Sequence, residues 1–229
     1  PFLFNLPQTI YHKNRTNRDL ILKSRKEGMS TMIEALFLHA CLFGENINAV
    51  TMSHTMDDTT IHLERVRYFL ETMGLKDMPF KVDLDKENQR EISFPSTNSK
   101  YWIGTAGSKA FGRGRDVTHL HLSEMAWYES QSVVTGVMEA CVPDAKIIME
   151  TTANGVGELF HRLWADSKDP QSNSPWKRHF FAWYEDPTNT LPIPEGVTPN
   201  FTAHENSIRK TYGLSMPQMY WYHQKKASM

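Results

Sequence analysis

The chain has 229 residues, 40% of them hydrophobic and 22% charged, with a formal net charge of −1. That length holds one large domain or one domain with a small appendage, and the near-neutral balance excludes a global basic field for gripping nucleic acid, so any DNA contact has to be local or made by other parts. No apolar run reaches membrane-spanning length, no signal-peptide pattern is present, and Cys41 and Cys141 lie in apolar helical contexts, which points to a reducing compartment and against a disulfide framework.

Residues 1–17 read as irregular, with a basic patch at His12-Lys13-Asn14-Arg15. A segment ahead of a phosphate loop often covers the nucleotide base, which makes Gln8 a candidate for contacting adenine; an ordinary surface glutamine is the other reading. Arg18 to Ser24 is an apolar, strand-like run. A polar turn with one glycine follows, and Ser30 to Phe43 is strongly helical. Strand, tight turn and helix start is the layout of a phosphate-binding loop, because the first N–H groups of the helix are unpaired and its dipole favours an anion. The candidate loop is Lys23, Ser24, Arg25, Lys26, Glu27, Gly28, Met29, Ser30 and Thr31. Aligned on G-x-x-x-x-G-K-[ST], Gly28 stands at the second glycine and Ser30 at the Mg²⁺-binding hydroxyl, whereas Met29 replaces the lysine and Lys23 the first glycine. Strand–Gly–helix turns are common in α/β proteins, but a purely structural turn has no need for three crowded cations. Which of Lys23, Arg25 and Lys26 is the main phosphate contact stays open.

Ile47 to Ser53 reads as the next strand and Met56 to Met73 as an amphipathic helix, with Ile61, Val66, Phe69, Leu70 and Met73 near one face and Gly74 as a stop. This β-α-β-α rhythm predicts a parallel sheet with helices on both faces. Lys81–Leu84, Glu91–Phe94 and Tyr101–Thr105 are short alternating runs, expected as antiparallel strands added at one edge. The Gly- and cation-rich stretch from Gly107 to Asp116 offers Arg113 and Arg115, either of which suits a phosphate through its fixed charge and bidentate fork.

Val117 to Glu124 is a second motif: an apolar strand ending where nucleotide hydrolases place an acidic pair. Ser123 stands at the first position, able to hold a metal-bound water but not to neutralise charge. Glu124 stands at the second, able to orient water or accept its proton. His119 and His121 alternate with leucines on one strand face and read as structural. Gln131 to Cys141 reads as a helix. A third motif, Lys146 to Gly155, is a buried strand ending in Thr151, Thr152, Asn154 and Gly155, groups that could bond a γ-phosphate or its water and relay its loss. Glu158 to Trp164 reads as a helix and Trp176 to Tyr184 as a last strand. Prolines from Pro187 to Pro199 mark a linker, followed by helical runs at Ala203–Tyr212 and Met216–Lys226. The expected division is residues 1–185 as the core and 186–229 as a helical subdomain.

Taken in order, Lys-Ser-Arg-Lys-Glu-Gly-Met-Ser-Thr, Thr-His-Leu-His-Leu-Ser-Glu and Thr-Thr-Ala-Asn-Gly resemble the large terminase subunit of tailed bacteriophages, the DNA-packaging motor. The tail from Asn200 to Lys226 is similar to that family's linker ahead of its nuclease domain. The resemblance implies an α/β P-loop NTPase of the additional-strand, catalytic-Glu type, using ATP and Mg²⁺ to move double-stranded viral DNA into a procapsid in the host-cell cytoplasm. It implies a subunit ring on the portal protein, a small terminase subunit as partner and no membrane, with this chain alone expected as a monomer. It makes Glu124 the catalytic carboxylate, Ser30 and Ser123 the hydroxyls near Mg²⁺, and Lys23 the displaced loop lysine, with Arg25 as an alternative γ-phosphate sensor. Arg113 or Arg115 becomes the arginine finger, and Thr151, Thr152, Asn154 and Gly155 the coupling motif. The chain starts at Pro1 and stops at Met229 inside a helical run, which reads as an ATPase-domain fragment without nuclease activity. Other nucleic-acid-stimulated ATPases, helicase-like motors among them, and a non-hydrolysing nucleotide-binding assembly module are the alternatives.

Overall fold

The computed structural model describes residues 3–74, 87–88, 90–105 and 116–228. They divide into two compact units, Pro1–Phe181 and Ala182–Met229. The first is built on an eight-stranded sheet of β1 (Arg18–Lys23), β2 (Asn48–Ser53), β3 (Glu87–Asn88), β4 (Glu91–Phe94), β5 (Ser99–Thr105), β6 (Val117–Ser123), β7 (Cys141–Thr151) and β8 (Lys177–Phe181). Their spatial order is β3-β4-β5-β2-β6-β7-β1-β8. Pairing is parallel from β5 through to β8, and antiparallel where β4 joins β5 and β3 joins β4. The α/β class with a mainly parallel sheet and added antiparallel edge strands is therefore what the sequence specifies. One strand, β7, lies between β1 and β6, so the two strands that end in Lys23 and Ser123 are not neighbours.

Strand residues alternate between the two faces. Ile21, Ala49, Tyr101, Ile103 and Ile148 join one core, with α2 (Met29–Phe43) and α3 (Met56–Thr72). Leu20, Val50, Met52, Trp102, Leu120, Leu122, Ile147 and Met149 join the other, with α4 (Gln131–Glu139) and α5 (Leu159–Asp166). Helices thus cover both faces, as the β-α-β-α rhythm predicts. The fully buried Glu34 of α2 bonds His62 and, at 2.6 and 2.7 Å, Arg65, both on α3, which fixes the two helices side by side.

Four expectations are corrected. The segment read as irregular contains α1 (Leu6–Asn14). Its start is a capping box, in which Asn5 accepts from Gln8 N at 2.9 Å and Gln8 Oε1 accepts from Asn5 N at 3.0 Å. Tyr101–Thr105 pairs antiparallel with β4, as expected, but lies inside the sheet and not in the added edge. As part of β5 it pairs in parallel with β2, from Asn48↔Lys100 to Ser53↔Thr105, because both of its faces are apolar and must be covered. Cys141 opens β7 opposite Val117 instead of closing α4. The last strand is confined to Lys177–Phe181, and a short 3-10 turn takes up Trp183–Glu185. The Lys81–Leu84 run lies outside the described residues.

The second unit holds α6 (Ala203–Tyr212) and α7 (Met216–Ala227). Gly213, at φ 64°, ends α6, and Thr202–Glu205 and Ser215–Gln218 capping boxes start the two helices. Trp183 stacks on Trp221 and Tyr222 at 5.3 and 5.2 Å, and Tyr184 stacks on Tyr212 at 4.5 Å. No helix among the described residues is long and apolar enough to cross a membrane.

Candidate active site

Parallel strands end together, so their C-terminal ends and the helix starts that follow form a crevice. Here Lys23, Arg25, Lys26, His54, Glu124, Trp127 and Thr152 line a cleft of about 350 Å³. The loop after β1 forms its floor. Lys26 and Gly28 adopt left-handed backbone, at φ 67° and 70°, which turns the chain sharply into α2. The first intrahelical bond runs from Met32 N to Gly28 O at 3.1 Å, and no side chain caps the helix. The N–H groups of its first turn are therefore placed as an anion site.

The loop is held from behind by α1. Gln8 Nε2 donates to Gly28 O at 2.8 Å and Asn5 Nδ2 to Glu27 O at 3.0 Å. Gln8 is 5% exposed, so the structure uses the amide proposed for adenine as a brace for the loop. Ser24 donates to the buried Glu27 carboxylate, tying the loop to itself. Met29 is 1% exposed within the core under α2, and only its backbone faces the anion site. Arg25 and Lys26 are exposed at the cleft.

Lys23 is different: it is buried at the end of β1, with Nζ 3.1 Å from Glu124 Oε1 and 3.5 Å from Glu150 Oε2. Burial pulls its pKa down, but the two carboxylates outweigh that and hold it above the usual lysine value. Glu150, fully buried, responds in the opposite sense. Burial pushes it up, while Lys23, His121 and Ser30 together drive it well below the usual carboxylate range. Glu150 Oε1 accepts from Ser30 Oγ and, at 3.1 Å, from Ser123 Oγ, and lies 3.1 Å from His121 Nε2. Sequence reasoning assigned Glu150 no role. The available signal was an acid closing the apolar run Ile147-Ile148-Met149, since a carboxylate buried there needs a cation.

Glu124 follows β6 in left-handed backbone at φ 53°, a conformation that costs a non-glycine residue energy and is concentrated at functional sites. The third motif secures it. Thr152 donates from N and from Oγ1 to Glu124 Oε2, each at 3.2 Å. Ala126 N donates to Thr151 Oγ1 at 3.2 Å, and Asn154 Nδ2 to Ala126 O at 3.0 Å. Gly155 turns away at φ 81°. The structure thus brings together Lys23, Ser30, Ser123, Glu124, Thr151, Thr152 and Asn154. Arg113 and Arg115 lie outside the described residues. His119 and His121 share the α2 face, against Phe37 at 5.1 and 6.4 Å. Burial and Lys146 lower the His119 pKa to about 4, which keeps it neutral.

No protein-family model and no curated relative matches the sequence. Solved structures do match. The chain superimposes on the large terminase of bacteriophage HK97 with a TM-score of 0.68 at 16% identity, covering 100% of this chain and 48% of that one. The large terminase ATPase domain of Thermus phage P74-26 gives 0.60 at 12% identity, covering 96% and 90%. The large terminase of another thermophilic bacteriophage, in complex with ADP, gives 0.61 at 16% identity, covering 92% and 50%. The chain spans about half the length of the HK97 terminase and of the ADP-bound one. It has the fold of the ATPase domains of bacteriophage large terminases.

Proposed function

We propose that the chain is an ATPase whose turnover drives double-stranded viral DNA into a procapsid. The observation that carries this reading is the pairing of Lys23 with Glu124 at 3.1 Å, at the mouth of an uncapped helix N-terminus. A site that only held nucleotide would gain little from a strained carboxylate on the cleft wall. In the proposed reaction the triphosphate sits on the first-turn N–H groups of α2 and draws the Lys23 ammonium to itself. Lys23 exchanges a carboxylate for phosphate oxygens, and Glu124 is released to orient water. The water oxygen bonds to the γ-phosphorus as the bond to the ADP oxygen breaks, and Glu124 takes the proton that the water loses and passes it to the released phosphate. Thr152, bonded to Glu124, is placed to pass the change on to the loop after β7.

The hydroxyl and carboxylate oxygens gathered beside α2 fit a hard divalent cation such as Mg²⁺. Ser30 and Ser123 are the hydroxyls that would hold it, and its contribution would be to neutralise phosphate charge. In this reading the arginine finger, Arg113 or Arg115, acts on the ATP of a neighbouring subunit in a ring. The portal protein, the small terminase subunit and DNA are the partners, and the host cytoplasm is the place of assembly. The test is phosphate release from Mg²⁺–ATP by the parent and by Glu124→Gln, with and without double-stranded DNA, beside nucleotide affinity. Loss of turnover by about 10²-fold or more with binding retained is the expected result. A parent that binds no nucleotide would sink the proposal.

A further inference from the structure

The residue before Glu124 is the expected seat of a metal-supporting acid, and in this chain it is Ser123, which carries no charge. The structure gathers a carboxylate at the same place from the next strand. Glu150 stands opposite Ser123 in the β6–β7 register and opposite Ile21 in the β1–β7 register. Strand alternation puts it on the α2 face, with Ile148, and its side chain reaches the first turn of that helix. One oxygen, Oε1, accepts from both candidate metal hydroxyls, Ser30 and Ser123. The other, Oε2, makes no hydrogen bond and lies 3.5 Å from Lys23 Nζ. A fully buried carboxylate gains little for stability over an apolar side chain of the same volume. One whose oxygens face a serine at a helix start and a lysine on a cleft wall is placed for an ionic ligand.

We infer that Glu150 supplies the negative charge missing at Ser123, as the positioning residue of the metal–nucleotide site. By accepting the Ser30 hydrogen, it turns the lone pairs of that hydroxyl outward, toward where a divalent cation would bind. It also balances the cation's charge from behind. The function of the β6 acid has moved one strand over, to β7, with Ser123 reduced to a second donor on the same oxygen. This inference rests on the nucleotide-binding reading.

The test measures binding, not turnover. Affinity for a non-hydrolysable ATP analogue is titrated calorimetrically in EDTA and in Mn²⁺, on the parent and on Glu150→Gln, with melting curves on both. The expected result is that Glu150→Gln keeps its metal-free affinity within about threefold but loses about 10-fold or more of the gain given by Mn²⁺. Adding Ser123→Asp to Glu150→Gln returns that gain, which a merely structural role for Glu150 would not produce. If Glu150→Gln does not fold, Glu150→Asp decides, because it keeps the charge but draws the carboxylate back from Ser30. A reduced Mn²⁺ gain with metal-free affinity kept supports Glu150, and an undiminished gain overturns the inference. A folded Glu150→Gln with an undiminished Mn²⁺ gain, or a double variant without rescue, overturns it too. A parent that binds the analogue with no Mn²⁺ gain overturns the inference and leaves the nucleotide reading standing, whereas a parent that binds no analogue overturns both.

Discussion

Lys23 is the residue on which two carboxylates converge, Glu150 of β7 and Glu124 just after β6, and its side chain is 6% exposed. Removing one partner of a buried pair leaves the other charge uncompensated, which costs about 3 kcal/mol. Lys23→Met is expected to lower the unfolding free energy from urea melts by that amount and to weaken nucleotide binding at least about tenfold, since the proposed charge-assisted contact to phosphate goes with it. A variant as stable as the parent would show that Glu150 finds its cation elsewhere. That Lys23, Ser30 and Glu124 gather at one end of the sheet was legible, because their positions at a strand end or a helix start are a local property of the chain. Glu150 was not. Its meaning depends on the register of β7 against β1 and β6 and on its bonds to Ser123 and Ser30, 27 and 120 positions away. Gln8 was misleading for a related reason. Its position ahead of the loop suggested a base contact, whereas the Asn5-x-x-Gln8 box marks a helix start that aims the amide at Gly28.

At the level of elements, the loop after β1 is a left-handed turn braced by α1. A Cβ on Gly28 would sit at φ 70° and 2.7 Å from Gln8 Nε2. Gly28→Ala is expected to cost about 1–2 kcal/mol of stability, from backbone strain and the displaced brace, and to weaken nucleotide binding with it. Gly136→Ala, in the middle of α4 with nothing within 4 Å of the added Cβ, is the control. It should stabilise by about 0.5–1 kcal/mol. Thermal melts of the two variants separate the loop's conformational demand from glycine removal as such. α1 is tied to the sheet through Asp19, fully buried, which accepts from Tyr11 Oη at 3.0 Å and Thr16 N at 2.9 Å, and lies 3.0 Å from His179 Nε2 on β8. Burial pushes the Asp19 pKa up, but the bonds from His179 and Thr16 outweigh it and hold it below the usual value. The unfolded chain then binds more protons than the folded one as pH falls. The stabilisation is complete above the ordinary aspartate value, about 3.9, and is lost as pH falls through the lower native value. Asp19→Asn is expected to be less stable than the parent at about pH 6, with the gap narrowing as pH falls below the ordinary aspartate value. A constant gap in urea midpoints across that range would count against the latch.

For the whole molecule, the placing of function follows from where the charges are. Every described residue of the candidate site, from Gln8 and the loop after β1 to Asn154, belongs to the unit Pro1–Phe181, which also contains both apolar cores on the sheet. The unit Ala182–Met229 has a different basis. Met219, Leu214 and Ala182 are its buried hydrophobic residues, supported by aromatic stacks and by Glu205, which is 1% exposed and accepts from Thr202 N at 2.8 Å. A unit this small, with so little apolar area, buries too little surface for a large margin over chain entropy. The linker prolines and helix caps made its elements legible in the sequence. The small stability expected of it follows from the shortage of buried side chains, which only the folded structure displays. The expectation is therefore asymmetric. Residues 1–181 alone should melt cooperatively and bind nucleotide within about threefold of the full chain, because every described residue of the candidate site is retained and threefold is only about 0.6 kcal/mol. Residues 182–229 alone should show partial helicity with a broad, weakly cooperative melt by circular dichroism. If 1–181 lost nucleotide binding while keeping its fold, the site would need a contribution from residues 182–229, and the assignment of the whole binding site to the sheet unit would fail.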